Sequence, residues 1–385
     1  MLSLPVELYG AIVDHIDDVG CLKSCSLAAS ALRYPSQRLL FSSLCVDDKN
    51  YVGLCNLLYD SPHIAGFVIF LEIPALSYIM SKSDIDPFQQ ILEKLTNVLR
   101  CFVDGLWFLS PRSSVPQRSQ IPDFLLDFFN RQPLRELSLR ALTTTSAVVL
   151  HLATTIRKLQ FTSLGIDDEF DCTEAVNSVE KPVLTTLSLA NAGYIGRLLT
   201  HPQNLSCLAA LRNLSVASDR DCAAELVAAT SRTLEFIHFA CLSSYPSLGP
   251  PEFPQLRQLR FTFDGQIIRQ ALEERVAEAM IVLSSLASLN TSPALREVHI
   301  RQQFSRTGTF DPSPYESLFK LLDEALAIYP TPPRIRCTLF VSGHEEETLF
   351  RHFADTARYK MPRAQITNRL VVERYAYATS KAFLI

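Results

Sequence analysis

The sequence predicts an α/β solenoid, a parallel sheet built from repeated short strands, behind a small three-helix domain. Three observations predict it. First, the stretch Leu134-Arg135-Glu136-Leu137-Ser138-Leu139 carries an apolar spacing of one residue, three on, then two on, and that spacing returns. It reappears as Ile156/Leu159/Phe161, Leu184/Leu187/Leu189, Leu211/Leu214/Val216, Leu234/Ile237/Phe239, Leu256/Leu259/Phe261 and Leu295/Val298/Ile300. Two inward residues at period two make a short strand with one buried face. Second, the steps between copies are 22, 28, 27, 23, 22 and 39 residues, long enough for a helix to return the chain. One such strand cannot bury its apolar face alone, so neighbouring copies must stack. Third, helical patterns without the cassette fill most of the first 46 residues.

The elements follow in order. Pro5 and Glu7 suit the first turn of a helix in which Leu4, Leu8, Ile12 and Ile16 form one apolar stripe. Asp17-Asp18-Val19-Gly20 ends it, and a second helix spans Leu22 to Leu32. A third follows Tyr34-Pro35, and Leu44-Cys45-Val46 reads as a first strand. Three helices in about forty residues make a small core, so apolar residues left over on them are expected to meet a partner or the next domain.

Between 47 and 130 the repeats are irregular, with Ile64/Phe67/Ile69 and Val98/Cys101/Val103 as degenerate copies and a helix over Pro87 to Leu99. A Ser/Pro/Arg loop covers Ser110 to Pro122, and a short helix Asp123 to Asn130 feeds the array over 131–343. Spacer helices are expected at Ser146 to Thr155, at Ile195 to Leu211 with a break at His201-Pro202, and at Asp221 to Thr230. Longer ones are expected at Ile268 to Leu289 and Tyr315 to Tyr329. Ile335, Cys337, Leu339 and Val341 alternate as a last strand. Residues 344–385 form a C-terminal cap with a helix from Glu345 to Lys360. Leu142 and Leu164 stand where typical repeats carry asparagine, so the loops should be less uniform than in a consensus leucine-rich-repeat horseshoe.

The 385 residues are 48% hydrophobic and 20% charged, ordinary for a globular protein with ample core material. A net charge of −4 gives no electrostatic reason to expect nucleic acid or a membrane surface as partner. The ten cysteines are scattered with no CxxC pair, which reads as reduced and intracellular, cytoplasmic or nuclear. Pro5 and Glu7 interrupt any signal-peptide pattern. Ile64 to Met80 is the one membrane-like stretch, but Glu72 and Pro74 argue against a span.

At the N-terminus, Leu4-Pro5-x-Glu7-Leu8, Ile12, Ile16, Leu22-x-x-Cys25-Ser26-Leu27 and Arg38-x-Leu40-Phe41 resemble the F-box motif, particularly its form in large families of fungal proteins. The resemblance covers residues 3 to 46, and a leucine-rich array is a common companion of that motif. It implies docking on a Skp-type adaptor and membership of a cullin-based (SCF) ubiquitin ligase, with the repeats holding a protein substrate. Carried over, Leu4, Pro5, Leu8 and Ile12 would lie in the adaptor contact, with Leu22, Leu27, Leu32 and Leu40 packing or completing it. The family often has a valine-cysteine-basic run and then a tryptophan where this chain has Ala28-Ala29-Ser30 and Leu32. The alternative for residues 1–46 is a helical cap over the first repeat, and for the whole chain a leucine-rich scaffold without a ligase role.

Catalytic motifs are absent: the sequence has no GxxxxGK[ST], GxGxxG or GxSxG. His344-Glu345 begins like a zinc-protease HExxH, but Thr348 stands where the second histidine is needed. Asp167, Asp168, Glu169 and Asp171 lack the glycine and terminal glutamate of a calcium loop. No cofactor, metal or catalytic residue is therefore expected. Within each cassette, the residues beside the inward pair point to the opposite, concave face. Arg140, Lys158, Gln160, Phe236, His238, Arg260, His299 and Arg301 are the candidates there for gripping a substrate, since arginines and aromatics anchor protein interfaces.

Overall fold

The structure is a computed structural model that describes residues 5–74, 76, 85–105, 119–167, 182–217, 220–240, 252–264, 276–277, 279–284, 292–304, 313–325, 329, 331–341 and 346–375. The fold is α/β, built on parallel strands, and the chain divides into two compact units. One holds Met1–Leu152 and Ile156–Glu169, the other Ala153–Thr155 and Phe170–Ile385.

The first unit opens with helices α1 (Val6–Val13), α2 (Val19–Ala28) and α3 (Ser30–Leu40), α3 packing on both others. Asp18 caps α2 by accepting from the Cys21 N–H at 2.6 Å. The sequence reading placed a break at Tyr34-Pro35. The break comes instead at Ala29, whose extended backbone (φ −150°, ψ 142°) separates α2 from α3, and Pro35 lies inside α3. Pro35 forfeits only one bond, to a carbonyl in the helix's first turn, and its buried ring helps fill this small core.

Five parallel strands follow: β1 (Ser43–Cys45), β2 (Phe70–Ile73), β3 (Arg100–Asp104), β5 (Glu136–Arg140) and β7 (Lys158–Thr162). Their register sets Leu44, Leu71, Cys101, Leu137 and Leu159 side by side. Helices α4 (Tyr51–Asp60), α5 (Asp86–Lys94), α6 (Asp123–Arg131) and α7 (Ser146–Thr155) connect them. The helices bury one stripe each, Phe88, Ile91 and Leu92 on α5 and Leu125, Phe128 and Phe129 on α6. Buried Gln132 ties the ends of these two together, donating to the Leu95 carbonyl at 2.6 Å and accepting from the Val98 N–H at 3.1 Å.

One degenerate copy is displaced. Pro62 starts a 3-10 turn over Pro62–Phe67, so the chain is not extended until Val68. The triple that leads into the strand is Val68/Leu71/Ile73 rather than Ile64/Phe67/Ile69: Ile64 and Phe67 are buried in the turn, and Ile69 is exposed. Val98/Cys101/Val103 is a strand copy as expected.

A second parallel sheet was not anticipated: β4 (Ser119–Gln120), β6 (Leu142–Thr144) and β8 (Gly165–Ile166). Ala141 and Ser163, just after β5 and β7, each turn through the left-handed region at φ 52°. Leu142 and Leu164 then bury themselves, which draws the chain into this second sheet instead of an asparagine-stabilised loop. At the matching place after β3 stands Gly105. A Cβ there would meet the Ala141 carbonyl oxygen at 2.6 Å and run into Leu142, so only glycine fits.

The second unit carries β9 (Thr186–Ala190), β10 (Asn213–Ala217), β11 (Phe236–Ala240), β12 (Gln258–Asp264), β13 (Glu297–Phe304), β14 (Arg334–Val341) and β15 (Leu370–Tyr375). All pair in parallel and in chain order, with Leu187, Leu214, Ile237, Leu259, Val298, Ile335 and Leu370 in one row. Helices α8 (Gly193–Thr200) and α9 (Arg220–Thr230) pack closely through Gly196.

Helix α10 (Ser313–Ala325) lays Tyr315 and Phe319 against Phe263 and Phe353 in an aromatic cluster. The Tyr315 hydroxyl donates to Gln302, a polar residue on the otherwise apolar side of β13. Among the described residues the last strand is β15, not β14. Helices α11 (Glu346–Lys360) and α12 (Pro362–Ile366) carry the chain back into the sheet where a terminal cap was expected. Buried Asp323 holds the start of α12, accepting from the N–H groups of Arg363 at 3.2 Å and Ala364 at 2.8 Å.

The predicted helix Ile268 to Leu289 is helical over its described residues 276–277 and 279–284. Of the expected Ser/Pro/Arg loop Ser110 to Pro122, residues 110–118 lie outside the described residues and Ser119–Gln120 form β4; Asp168, Glu169 and Asp171 also lie outside them.

Candidate functional site

Strand alternation gives the second unit's sheet one apolar and one polar face, and parallel register lines the polar residues up in rows. The central row runs Ser188, Ser215, His238, Arg260, His299, Arg336. Two residues further along each strand, the next row holds Ala190, Ala217, Ala240, Thr262, Arg301, Thr338 and Glu373. Small side chains thus occupy β9 and β10, and arginines occupy β12, β13 and β14.

Both histidines proposed as contact residues lie on this face, but their rings are covered: His238 is 9% and His299 8% exposed. Each is held by cross-strand hydroxyls. His238 hydrogen-bonds Ser215 Oγ through Nδ1 at 3.0 Å and Thr262 Oγ1 through Nε2 at 2.9 Å. The Nε2 of His299 meets Thr338 Oγ1 at 2.8 Å. Burial, with the nearby Arg260 and Arg301 charges second, pushes both imidazoles down from 6.5 to about 3, so both are neutral at ordinary pH.

The arginines are half-buried, and aromatic rings support two of them. Arg260 stacks over Phe236 with its guanidinium carbon 5.1 Å from the ring centre, and Arg301 over Phe340 at 4.6 Å. Arg336 lies 3.8 Å from Glu297 and 3.7 Å from Glu373. Burial first, then the neighbouring Arg301, lowers the Arg260 pKa, and burial likewise lowers that of Arg301. Arg336 was missed by the sequence reading, although its place between inward Ile335 and Cys337 was the signal.

The first unit's polar face is self-neutralised. Arg140 lies 3.6 Å from Asp104, and Lys158 pairs with Glu136 at 2.5 Å. Gln160 is half-buried on the same face. Of the proposed gripping residues, Phe236, Arg260 and Arg301 gather with His238 and His299, whereas Arg140, Lys158 and Gln160 belong to the first unit's face.

The N-terminal helices present a different surface. Leu8 and Ile12 of the apolar stripe are 46% and 51% exposed, joined by Val19 and by Leu27 at 84%. Val13, Leu22, Pro35 and Ser36 are buried instead. Leu32 and Leu40 are half-buried, Pro5 is exposed, and Leu4 lies outside the described residues.

Among the described residues, no group of three or more His, Cys, Asp or Glu side chains is placed to hold a metal ion. Nor, among them, is any helix long and apolar enough to cross a membrane. His344 lies outside the described residues. Neither a scan against protein-family models nor a search of curated proteins finds a match to this chain.

Proposed function

We propose that this chain is a non-catalytic substrate-recognition subunit of a cullin-type ubiquitin ligase. A Skp-type adaptor docks on helices α1 and α2, and a protein substrate docks on the polar face of the strands. The observation that carries the proposal is the exposure of Leu8, Ile12, Val19 and Leu27, the outward apolar residues of helices that resemble an F-box. Leaving large aliphatic side chains about half or more in water forgoes stabilisation of about 25 cal/mol per Å² of apolar surface, which a docking partner recovers.

The recurring triples, with the main-sheet strands of each unit pairing in chain order, support the finer reading of a leucine-rich-repeat solenoid. In that arrangement the polar face of the strands is the concave one. The polypeptide then works in the cytoplasm or nucleus and needs no cofactor of its own. A tagged chain expressed in cells should bring down a Skp-type adaptor together with a cullin. Recovery of substrates without either protein would instead identify a scaffold that binds partners outside any ligase.

A further inference from the structure

Three guanidinium groups surround His299 on the polar face of the second unit. Arg260 on β12 and Arg336 on β14 stand directly opposite it in register, and Arg301 lies two residues further along its own strand. Adjacent strands are about 4.8 Å apart, so all three long side chains reach one small area. Their balance is uneven. Arg336 has Glu297 and Glu373 beside it, while among the described residues no carboxylate lies within ion-pair distance of Arg260 or Arg301. Those two are instead propped on Phe236 and Phe340, contacts that use the flat faces of the guanidinium groups and leave the N–H edges available.

Three buried polar atoms in the same place have no hydrogen-bond partner: Arg260 Nε, His299 Nδ1 and Arg336 Nε. His299 is 8% exposed, so an unsatisfied ring nitrogen there is costly unless something else completes it.

We propose that Arg260, Arg301 and His299, assisted by Arg336, form a receptor for a doubly negative group on an extended protein segment. That group is either one phosphorylated side chain or two neighbouring carboxylates. This rests on reading the sheet face as the substrate-binding surface. Three guanidiniums against the carboxylates of Glu297 and Glu373 leave the cluster with a net positive charge, and the donor forks of Arg260 and Arg301 match the oxygens of phosphoryl and carboxylate groups alike. With its Nε2 on the Thr338 hydroxyl, a neutral His299 can offer its unpartnered Nδ1 to the anion as an N–H donor. The groups facing His299 are Arg260, Arg301, Arg336 and His238.

The test uses the full chain and three fluorescent peptide pools with identical random flanks, centred on phosphoserine, on Asp-Glu or on Ala-Ala. Binding is followed by polarisation beside single-stranded DNA of similar charge. The phosphoserine or the Asp-Glu pool should bind at least about tenfold tighter than the alanine pool, and the stronger of the two names the source of the charge. The double variant Arg260→Gln, Arg301→Gln should erase that preference. Arg301→Lys, which keeps the charge but loses the fork, should reduce it with the fold intact. Arg212→Gln, removing a surface arginine paired with Glu235 at 2.9 Å, should leave it unchanged.

Equal binding of the alanine pool, a preference that survives the double variant, or tightest binding of DNA would each overturn the proposal. A chain that holds the adaptor but shows no anion preference defeats this inference alone. One that prefers anions yet never holds an adaptor defeats the ligase reading alone.

Discussion

The tightest packing prediction lies where α8 meets α9. Gly196 faces Cys222 so closely that an added Cβ would run into its Sγ, with Cys222 Cβ 3.1 Å and Leu226 Cδ1 3.3 Å away. Cys222 and Leu226 are both fully buried, so neither side chain has open space to swing into. Gly196→Ala therefore overpacks the interface, at a cost of about 1–3 kcal/mol. Against this, alanine gains about 0.8–1.0 kcal/mol over glycine inside a helix, leaving a net loss of up to about 2 kcal/mol. Cys222→Ala alone removes a small buried hydrophobe and costs about 1 kcal/mol. In the double variant the new methyl occupies part of the space that the sulfur vacates. The two changes should thus be less harmful together than their sum, by about 1–2 kcal/mol in a double-mutant cycle. Urea unfolding of the four proteins, followed by circular dichroism, reads this directly. Strict additivity would refute the reasoning, because it would mean the two side chains do not compete for the same volume.

The remaining predictions concern the sheet and its histidines. Leu187→Ala or Leu214→Ala, at fully buried positions, should lose about 2–5 kcal/mol, while Ser188→Ala on the polar face should be nearly silent in thermal melts. Ser215→Ala should fall between, at about 1 kcal/mol, because Ser215 hydrogen-bonds the buried His238 ring. A melt in which Ser188→Ala is as harmful as Leu214→Ala would reverse the assignment of faces. His238 and His299 have folded values near 3 against 6.5 for a free imidazole, so below pH 6.5 the unfolded chain takes up protons that the folded chain refuses. Stability should hold above that pH and fall towards pH 4 by about 1 kcal/mol per pH unit for each histidine. Asparagine at both positions should flatten that acid limb, and an unchanged acid limb would show that the rings are not held neutral.

Strand positions were legible wherever the apolar triple stood alone, because period-two burial beside a third residue leaves few other solutions. The first degenerate copy was legible in kind but misplaced by four residues, since Pro62 forces a 3-10 turn that apolar spacing does not report. The second sheet was half visible: Leu142 and Leu164 were seen as departures from asparagine, but not as residues that bury. Strand β15 was hidden behind a helix that looked terminal, although Leu370-Val371-Val372 after left-handed Asn368 (φ 59°) was its signal.

On the polar face, alternation placed Phe236, Arg260 and Arg301 without error. It could not show that Arg140 and Lys158 are neutralised, because their partners Asp104 and Glu136 lie on neighbouring strands. Burial of the two histidines likewise depends on cross-strand neighbours that only the register supplies. At the N-terminus the stripe was read correctly as apolar. What the sequence left open was its direction, and Leu8 and Ile12 are about half in water.

That exposure makes Ile12 the sharpest probe of the central claim. With about half of its side chain in solvent, Ile12→Asp should fold with an almost unchanged melting temperature. In an adaptor complex the same change forfeits about 1 kcal/mol of apolar burial and adds the cost of desolvating an unpaired carboxylate, together about 3 kcal/mol or a hundredfold. The deciding measurement is a calorimetric titration of the full chain with a purified Skp-type adaptor, each partner at roughly 50 μM. The account predicts saturable binding that Ile12→Asp abolishes and Pro5→Ala weakens several-fold. No heat from the unmodified protein, or equal binding by Ile12→Asp, would contradict it.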